Sequence, residues 1–507
     1  MKKAVTCAQM KMLDANAIYN MHMPSLVLME KAALATVAAL KERLKAEEKP
    51  QILVLCGSGN NGGDGIAVAR ILFLEGVRTE IFMVGNPDKM TEETRHQWEI
   101  ASRYQVPVTN NPIWSEYTVI VDALFGVGLS REVGGRYAKV IEAANLASAL
   151  KIAVDIPSGI HGDTGQILGT AFRADCTVTF AYTKRGLCLY PGRAFAGEVV
   201  IADIGIYDRG EKGELLAEKA SFCMSEKEVK EIPKRIPWGN KGTFGKVLLI
   251  AGSKGMCGAA YLCASAALHG GAGMVKIQTV EENRLPLQTL LPEAMVSCDF
   301  DEQANEENLN WCDVLVIGPG LGTDGLSRER MLWFLEKGTA SGKPLVLDAD
   351  GLNLLAEHPR WLEFINENTI LTPHIGEMKR LTGISIEELK KDPVSAAVEY
   401  ATKSGGVCVL KDACTVTADG KENLFLNLSG NAGMATAGSG DVLSGIIAAV
   451  SCMYLKEEKD MGYIAALGVY IHGLCGDVAK EKTGMRGMTA KDIVSALPEV
   501  LNRTCQD

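Results

Sequence analysis

The sequence predicts two different α/β domains, because apolar strand-like runs alternate with amphipathic helical stretches in two separate series. The strand-like runs of the first series are 51–56, 78–84, 118–121 and 151–154. Those of the second series begin at 246 and continue at 313–317, 344–347, 369–371 and 406–410. A charged segment containing Pro233 and Pro237 separates the two series and lacks apolar periodicity. We therefore predict domains at 1–215 and 225–503, with the boundary near 216–225.

The composition favours a soluble protein that binds small molecules. The 507 residues exceed what one hydrophobic core holds, and 47% hydrophobic with 22% charged residues is ordinary for globular proteins. A formal net charge of −10 argues against nucleic acid or an anionic membrane as the partner. The 14 cysteines are scattered without a CxxC pair, which indicates reduced core residues. The N-terminus lacks a signal-peptide pattern and the apolar run 446–455 is too short to cross a bilayer, so we expect a cytoplasmic protein.

The first glycine-rich loop, CGSGNNGGDG at 56–65, lies between a predicted strand and a predicted helix. It contains a G-x-G-x-x-G pattern, which in this context is typical of a Rossmann dinucleotide loop. However, the loop also carries Asn60, Asn61 and Asp64, and a carboxylate is unfavourable beside a pyrophosphate. These side chains suit a ribose, an amide or a cation, while an NAD loop and a plain turn stay open as alternatives.

Further polar loops of the first half follow predicted strands at 121–135, at 154–165 and from Thr179. Parallel sheets bind ligands at the carboxyl ends of their strands, so these loops are expected to gather at one site. Asp122 and Asp155 each end a strand and could alternatively be cap or turn acids. Together with Asn61 and Ser158 they could supply oxygen ligands to an alkali or alkaline-earth cation rather than to zinc.

The second half contains its own set of glycine-rich and polar loops, at 251–260, 318–322, 348–355, 372–377, 410–415 and 431–445. In the last of them, Gly438 and Gly440 let backbone N–H groups turn toward an anion, and a helix starting near Asp441 adds its positive dipole end. A carboxylate there is well placed to accept a proton from an attacking hydroxyl. The alternative is that Asp441 is a simple helix N-cap. The chain has no GxxxxGK[ST] motif, which disfavours a P-loop NTPase.

The motif set resembles a known family of two-domain enzymes. The GSGD sequence ending at Asp441 is similar to the GxGD motif of the ribokinase-like superfamily, whose kinases often carry TPN-x-x-E where this chain has TPHIGE with His374. Together with KGTFGKVLLIAGS, the GAA at 258–260, GPGLG and NAGMATAGSGDVL, this resembles the ADP- or ATP-dependent NAD(P)H-hydrate dehydratases. GNNGGDG, VDALFG-x-GL and VDIPSG-x-x-x-x-TG resemble the NAD(P)H-hydrate epimerase domain. The chain departs from that pattern at Lys31 and Ala33, where the family usually has Asn and Gly.

The resemblance implies a Rossmann-like three-layer domain followed by a ribokinase-like domain, with Asp155 and Asp441 as the catalytic residues. It implies hydrate contacts in the first domain from Asn60, Asn61, Gly62, Gly63, Asp64, Gly126, Val127, Gly128, Leu129, Ser130, Arg131, Glu132 and Asp155, and a potassium ion held by Asn61, Asp122 and Ser158. In the second domain it implies hydrate contacts from Ala259, Gly322, His374 and Asp441, and contacts to the adenine nucleotide from Lys411, Asp412, Ala413, Cys414, Thr415, Gly438, Ser439 and Gly440.

The implied function is the repair of hydrated NADH and NADPH (NADHX and NADPHX). One domain interconverts the R and S hydrates, and the other dehydrates the S form with ADP and Mg²⁺, giving AMP and phosphate. The sequence leaves ADP and ATP open as the donor, although the fused architecture resembles the ADP users. Apolar helical stretches such as 26–40 predict a homo-oligomer. The rival hypotheses are a vitamin or sugar kinase fused to a ligand-binding domain, a non-catalytic NAD-sensing module in the first half and, last, an NAD oxidoreductase.

Overall fold

The computed structural model describes residues 1–44, 49–421 and 423–502. These residues form two compact units, of which one is Lys3–Ser221 and the other combines Met1–Lys2 with the described residues from Phe222 onward. The division falls between the two predicted domain ranges, 1–215 and 225–503, and position 503 itself lies outside the described residues.

The first unit alternates strands with helices along most of its length. Its strands are β1 Lys2–Val5, β2 Gln51–Cys56, β3 Arg78–Met83, β4 Val108–Thr109, β5 Val119–Ala123, β6 Leu150–Val154, β7 Cys176–Phe180, β8 Thr183–Lys184 and β9 Glu198–Ala202. Its helices are α1 Cys7–Ala15, α2 Ser25–Arg43, α3 Asn60–Leu74, α4 Glu92–Arg103, α5 Gly135–Leu146, α6 Arg185–Cys188 and α7 Gly192–Ala196.

The main sheet of the first unit is parallel throughout, in the order β4-β3-β2-β5-β6-β7-β9. Buried residues of α2 and α3 pack on one face, and those of α5 pack on the other. The predicted Rossmann-like three-layer architecture is confirmed. The chain leaves β2 toward β3 but returns to the other side of β2 at β5, and a crevice between the loops after β2 and β5 is where such sheets bind ligands.

The second unit has a larger sheet covered by longer helices. Its strands are β10 Ser221–Cys223, β11 Lys246–Ile250, β12 Met274–Gln278, β13 Met295–Ser297, β14 Val314–Ile317, β15 Leu345–Leu347, β16 Thr369–Leu371, β17 Val407–Leu410, β18 Val416–Ala418 and β19 Leu424–Leu426. Its helices are α8 Glu226–Lys230, α9 Cys257–His269, α10 Arg284–Leu290, α11 Glu302–Trp311, α12 Gly325–Ala340, α13 Asp350–Glu357, α14 Ile375–Thr382, α15 Ile386–Lys391, α16 Pro393–Ser404, α17 Ser439–Met453, α18 Met461–Gly487 and α19 Ala490–Asn502.

The strand order of this unit is β13-β12-β11-β14-β15-β16-β17-β18-β19-β10. The pairs are parallel from β13 to β17, so the loops after β11, β14, β15, β16 and β17 all leave the same edge of the sheet. Helices α9 and α17 pack closely, because a Cβ added at Gly445 would lie only 2.2 Å from the carbonyl oxygen of Cys263. The glycine loops predicted from the sequence therefore converge on one edge.

One described helix, α18, is long and apolar enough to cross a membrane by length and composition alone. However, 78% of its most apolar window is buried inside the protein, where residues such as Leu467 and Ile471 pack in the helical core. Its apolar character is accounted for by that packing.

Candidate active sites

The first unit contains a cavity of about 780 Å³ beside the loops that follow β2, β5 and β6. Ten of the predicted substrate contacts line it, namely Asn60, Asn61, Asp64, Gly126, Val127, Gly128, Leu129, Ser130, Arg131 and Asp155. Gly62, Gly63 and Glu132 are predicted contacts that do not line it. Lys31 and Ala33, the two departures from the family pattern, lie outside the lining as well, although their neighbour Ala32 belongs to it.

Gly62 and Gly63 have a packing role at the start of α3. A Cβ added at Gly62 would lie 2.0 Å from the carbonyl oxygen of Gly57, and one added at Gly63 would lie 2.8 Å from the Met29 methyl carbon. These positions accept no side chain without movement of the loop or of α2. The glycines therefore allow the close approach that places Asn61 and Asp64 at the cavity.

Asp155 follows β6 with a φ of 67°, a left-handed conformation that is uncommon for a residue with a side chain. Its Oδ1 atom accepts hydrogen bonds from Lys184 Nζ at 2.6 Å and from Thr179 Oγ1 at 3.3 Å. Strained backbone is found where the surrounding structure fixes a functional side chain. Lys184 also lines the cavity, and it lies in the polar stretch that starts at Thr179, but sequence reasoning did not single it out.

Asp14 of α1 is a second cavity residue that sequence reasoning missed. Burial raises the pKa of its carboxyl to about 6. Burial also raises the pKa of Asp64 well above its ordinary value, helped by the negative charges of Asp155 and Asp14. The cavity thus brings the carboxyl groups of Asp14, Asp64 and Asp155 together with Lys184, and Lys11 and Glu93 also line it.

The residues predicted to hold potassium include a tight buried pair. Asp122 Oδ2 accepts the Ser158 backbone N–H, and Asp122 Oδ1 accepts the Ser158 hydroxyl, both at 2.7 Å. Burial raises the pKa of Asp122 to about 6. Asn61 Nδ2 is buried and has no hydrogen-bond partner within the described part of the chain. Rotation of that amide by half a turn would present an oxygen instead, so the three side chains have donor chemistry that suits a hard cation.

The candidate site of the second unit is built on the start of α17. Gly438 is its N-cap, with a φ of 85°, and Asp441 is the third residue of the helix. The N-cap alternative for Asp441 is therefore wrong. The carboxyl group lies beside the first-turn N–H groups, which have no partners within the helix and can bind an anion. Ser439 Oγ is 3.3 Å from Nε2 of His472, whose burial lowers its pKa to about 4 and keeps the ring neutral.

Two charged residues from neighbouring loops meet this helix end. Lys411 Nζ, after β17, donates to Asp348 Oδ1 at 2.8 Å, and Asp348 Oδ2 accepts the hydroxyl of Ser444 at 2.7 Å. A Cβ added at Gly440 would lie 3.5 Å from Lys411 Nζ, so the absence of a side chain there keeps the ammonium group close to the helix start. Burial opposes the charge on Lys411, but Asp348 and Glu377 outweigh it and raise the pKa of the lysine.

The electrostatics of this site favour a carboxyl group that gains and loses a proton near neutral pH. Burial raises the pKa of Asp441 to about 7, with the negative charge of Asp348 acting in the same direction and Lys411 against it. Burial likewise raises the pKa of Glu377 to about 7. General bases work best when their pKa lies near the working pH, which suits Asp441 to proton transfer.

His374 takes the N-cap position of α14, where the related kinases have Asn. Its Nδ1 atom accepts the backbone N–H of Gly376 at 2.9 Å, and Glu377 Oε2 accepts the backbone N–H of His374 at 2.7 Å. This reciprocal capping box fixes the loop, while 53% of the His374 side chain stays exposed. The outer side of the ring is exposed, while its Nε2 atom lies 3.5 Å from Glu377 Oε1.

The remaining predicted residues surround the same edge. Gly322 N donates to Asp350 Oδ2 at 2.8 Å, and a Cβ added at Gly320 would lie 2.9 Å from Ala259 Cβ. Thus the start of α9, which carries Ala259, packs against the loop that carries Gly322. Ala349 has a φ of 48° between Asp348 and Asp350, two acids that sequence reasoning left within a loop without a role.

The segment 411–415 is the hairpin loop between antiparallel strands β17 and β18. Asp412 and Ala413 are exposed, whereas Cys414 is buried, with its Sγ 3.3 Å from the Asn427 carbonyl oxygen. The thiol therefore faces the hairpin interior. The predicted contact between Cys414 and the adenine nucleotide can come only from the backbone of that residue. Within the described residues no group of three or more His, Cys, Asp or Glu side chains forms a ready metal site.

Comparisons with known proteins agree with this two-unit organisation. Residues 25–186 match the family model of the YjeF-related protein N-terminus, and residues 247–499 match that of NAD(P)H-hydrate dehydratase. Over its whole length the chain is 38% identical to a bifunctional NAD(P)H-hydrate repair enzyme from Thermofilum pendens, covering 97% of that protein. It is also 38% identical to the Escherichia coli enzyme of that name, over 90% of this chain and 86% of that protein.

A solved structure agrees with the fold of the second unit. A ribokinase-like superfamily protein from Enterococcus faecalis is 30% identical and covers 57% of this chain and 98% of its own, with a TM-score of 0.50. The predicted ribokinase-like fold is confirmed. Because relatives at this level of identity match nearly the full length of both units, the chain belongs to the family of bifunctional NAD(P)H-hydrate repair enzymes.

Proposed function

We propose that this chain repairs hydrated NADH and NADPH, the first unit interconverting the R and S hydrates and the second dehydrating the S hydrate with ADP. The observation that carries the proposal is Asp441, a carboxyl group with a pKa of about 7 placed at an anion-binding helix start. Such a group can activate a hydroxyl for attack on a phosphoryl group.

Dehydration requires a better leaving group than hydroxide, whose conjugate acid has a pKa of about 15.7. Asp441 accepts the proton of the hydrate's hydroxyl as that oxygen attacks the terminal phosphorus of ADP, and the bond to the AMP oxygen breaks. Phosphate then leaves with the C–O electron pair as the ring nitrogen donates its lone pair, and loss of a neighbouring ring proton restores the double bond. The N–H groups of residues 438–440 stabilise the charge that develops on the phosphoryl oxygens.

The nucleotide is proposed to lie over Lys411 and the hairpin loop 411–415. Lys411 is held by Asp348, so its ammonium group has a fixed direction toward Gly440. The oxygen donors near it, on Asp348 and Glu377, suit Mg²⁺, which when bound neutralises phosphate charge. ATP presents the same transferable end to this loop, so both nucleotides belong in the assay.

The first unit is proposed to bind the hydrate in its 780 Å³ cavity, with Asp155 as the acid or base for epimerisation. Potassium is proposed to bind Asn61, Asp122 and Ser158, where it would fix the loops after β2, β5 and β6. The fit is supported by the unpartnered buried amide of Asn61 and the oxygen donors beside it.

Recovery of NADH from separated hydrate epimers tests the proposal. We expect the S hydrate to give NADH and one phosphate per turnover when ADP and Mg²⁺ are present, and the R hydrate to follow after epimerisation. Asp441→Asn should reduce dehydration by about 10²-fold or more with nucleotide affinity retained. Glu329→Gln, at an exposed position of α12, removes a matched charge and should behave as wild type. A stable phosphorylated product would instead identify a kinase, and rapid turnover by the Asp441 variant would exclude its role as base.

Self-association is proposed to involve α2. Val27 and Leu34 of this helix are 43% and 50% exposed, an arrangement that favours contact with another apolar surface. Light scattering should report more than one copy for the wild type and a monomer for the Val27→Glu/Leu34→Glu variant. A monomeric wild type would contradict this part of the proposal.

A further inference from the structure

Lys184 is a buried cation at the end of β8, inside the wall of the first unit's cavity. Only 1% of the residue is exposed. Its Nζ atom donates to Asp155 Oδ1 at 2.6 Å, to Thr179 Oγ1 at 2.9 Å and to the Phe180 carbonyl oxygen at 3.0 Å. All three ammonium protons therefore have acceptors, and the group is fixed in position. Burial of a charge costs several kcal/mol unless it is well paired, so this arrangement needs its carboxylate.

The contacts of Asp155 are divided unequally between its two oxygens. Oδ1 accepts from both Lys184 and Thr179, whereas Oδ2 lies on the side of Gly126, 3.3 Å from where a Cβ would be at that glycine. Gly126 lines the cavity and has no side chain to cover Oδ2. One oxygen is thus anchored and the other faces the space where a substrate fits.

The other titratable groups facing this pair come from α1 and α3. Burial raises the pKa of Asp14 to about 6 and that of Asp64 well above its ordinary range. Burial and the nearby Asp163 raise the pKa of the Cys7 thiol to about 12. Lys11, Glu93 and Arg131 also line the cavity, and Lys184 is the residue paired with Asp155.

We propose that Lys184 is a positioning residue for epimerisation: it anchors Oδ1 of Asp155 so that Oδ2 stays directed at the hydroxyl of the hydrate. Lys184 itself touches no substrate and passes no proton. The inference rests on the proposed epimerase function of the first unit and adds to it a residue that acts through Asp155. Its consequence is that Lys184 matters only while Asp155 is present.

A double-mutant cycle on the full chain tests this consequence. The exchange of R and S hydrates of NADH is followed by chromatography for Lys184→Met, Asp155→Asn and the double variant, with exposed Lys139→Met on α5 as the matched control. We expect Lys184→Met to lower kcat by about 10²-fold with KM changed less than about threefold, because proton transfer is impaired and binding is not. In the Asp155→Asn background the same change should have no further effect.

Two further variants separate positioning from stability. Lys184→Arg should restore part of kcat because it keeps the charge. If Lys184→Met does not fold, as judged by thermal unfolding, Thr179→Val keeps the lysine but removes one anchor, and we expect kcat to fall by about three- to tenfold.

Multiplicative effects of the Lys184 and Asp155 variants, or wild-type kcat in both Lys184→Met and Thr179→Val, would overturn the inference. If the proposed epimerase function itself is wrong, the wild-type chain will not accelerate exchange of the R and S hydrates at all. Fast exchange by the wild type together with either negative result would reject Lys184 alone.

Discussion

Asp348→Asn should shift the pH dependence of dehydration in a direction that the geometry fixes. The Asp348 side chain is 2% exposed and is bound to Lys411, and its negative charge is the largest charge effect raising the pKa of Asp441. Removing that charge lowers the Asp441 pKa directly. It also frees Lys411 from its main counter-ion, so the positive charge of Lys411 acts more strongly on Asp441. Both effects favour the carboxylate form of the base.

The expected change in activity follows from the ionised fraction of a single carboxylic acid, Asp441. With a pKa of about 7, about one eleventh of Asp441 is ionised at about pH 6. If the substitution lowers that pKa by about one unit, about half is ionised at the same pH, and relative activity there rises about fivefold. The sign follows because a base works only when deprotonated: activity falls as pH drops through its pKa, and a lower pKa moves this fall to lower pH.

The measurement is kcat/KM for the S hydrate from about pH 5 to about pH 9 with saturating Mg²⁺ and ADP, each value normalised to its own plateau. Bound nucleotide adds the same negative charge to both proteins, so the difference between them is the quantity to compare. Loss of a charge from the buried pair with Lys411 destabilises the fold, and thermal unfolding must show the variant folded at the assay temperature. Glu329→Gln again serves as the control. If kcat/KM of the variant falls at the same pH as that of the wild type, or at a higher pH, the electrostatic coupling of Asp348 and Asp441 is refuted.

Three other outcomes follow from the structure. His374→Ala should lose the N-cap of α14 and about 1 kcal/mol of stability, whereas His374→Asn should keep the cap, and unfolding in urea compares the two. Potassium should raise the unfolding temperature of the wild type more than tetramethylammonium at equal ionic strength, and Asp122→Asn should abolish the difference; an equal response to both cations would contradict the site. Gly62→Ala should destabilise the first unit by about 1–3 kcal/mol and reduce epimer exchange while dehydration continues, because its methyl group meets the Gly57 carbonyl.

Nine of the strands, the gathering of the glycine loops and the placement of Asp441 at a helix start could be predicted from the sequence, whereas strands such as β7 and β12 were not named. Apolar runs bounded by glycine loops determine a parallel sheet, and a parallel sheet brings the ends of its strands to one edge. The role of Gly62 could not be separated from substrate contact in this way. A glycine needed for close packing and a glycine needed to approach a ligand look the same in a sequence, and only the 2.0 Å approach to Gly57 distinguishes them.

Asp14 and Lys184 were missed for a different reason. Acids and lysines are exposed by default, so a sequence offers no sign that either is buried. Asp14 lies on α1, before the motifs of the first domain, and only tertiary packing brings it to the cavity. Lys184 follows β7 closely enough for its ammonium group to fold back on Thr179, a local contact that becomes meaningful only once Asp155 is beside it.

The two sites each contain a buried lysine paired with an aspartate, but they use the pair in opposite ways. In the first unit the paired residue, Asp155, is itself the proposed acid or base, and Lys184 is proposed to hold it in position. In the second unit the paired residue is Asp348, while the proposed base, Asp441, is the neighbour whose pKa burial and Asp348 raise to about 7. Loss of the lysine's partner therefore has opposite consequences in the two sites. Lys184 without Asp155 has no further role in epimerisation. Lys411 without Asp348 lowers the pKa of the base Asp441 more strongly than before.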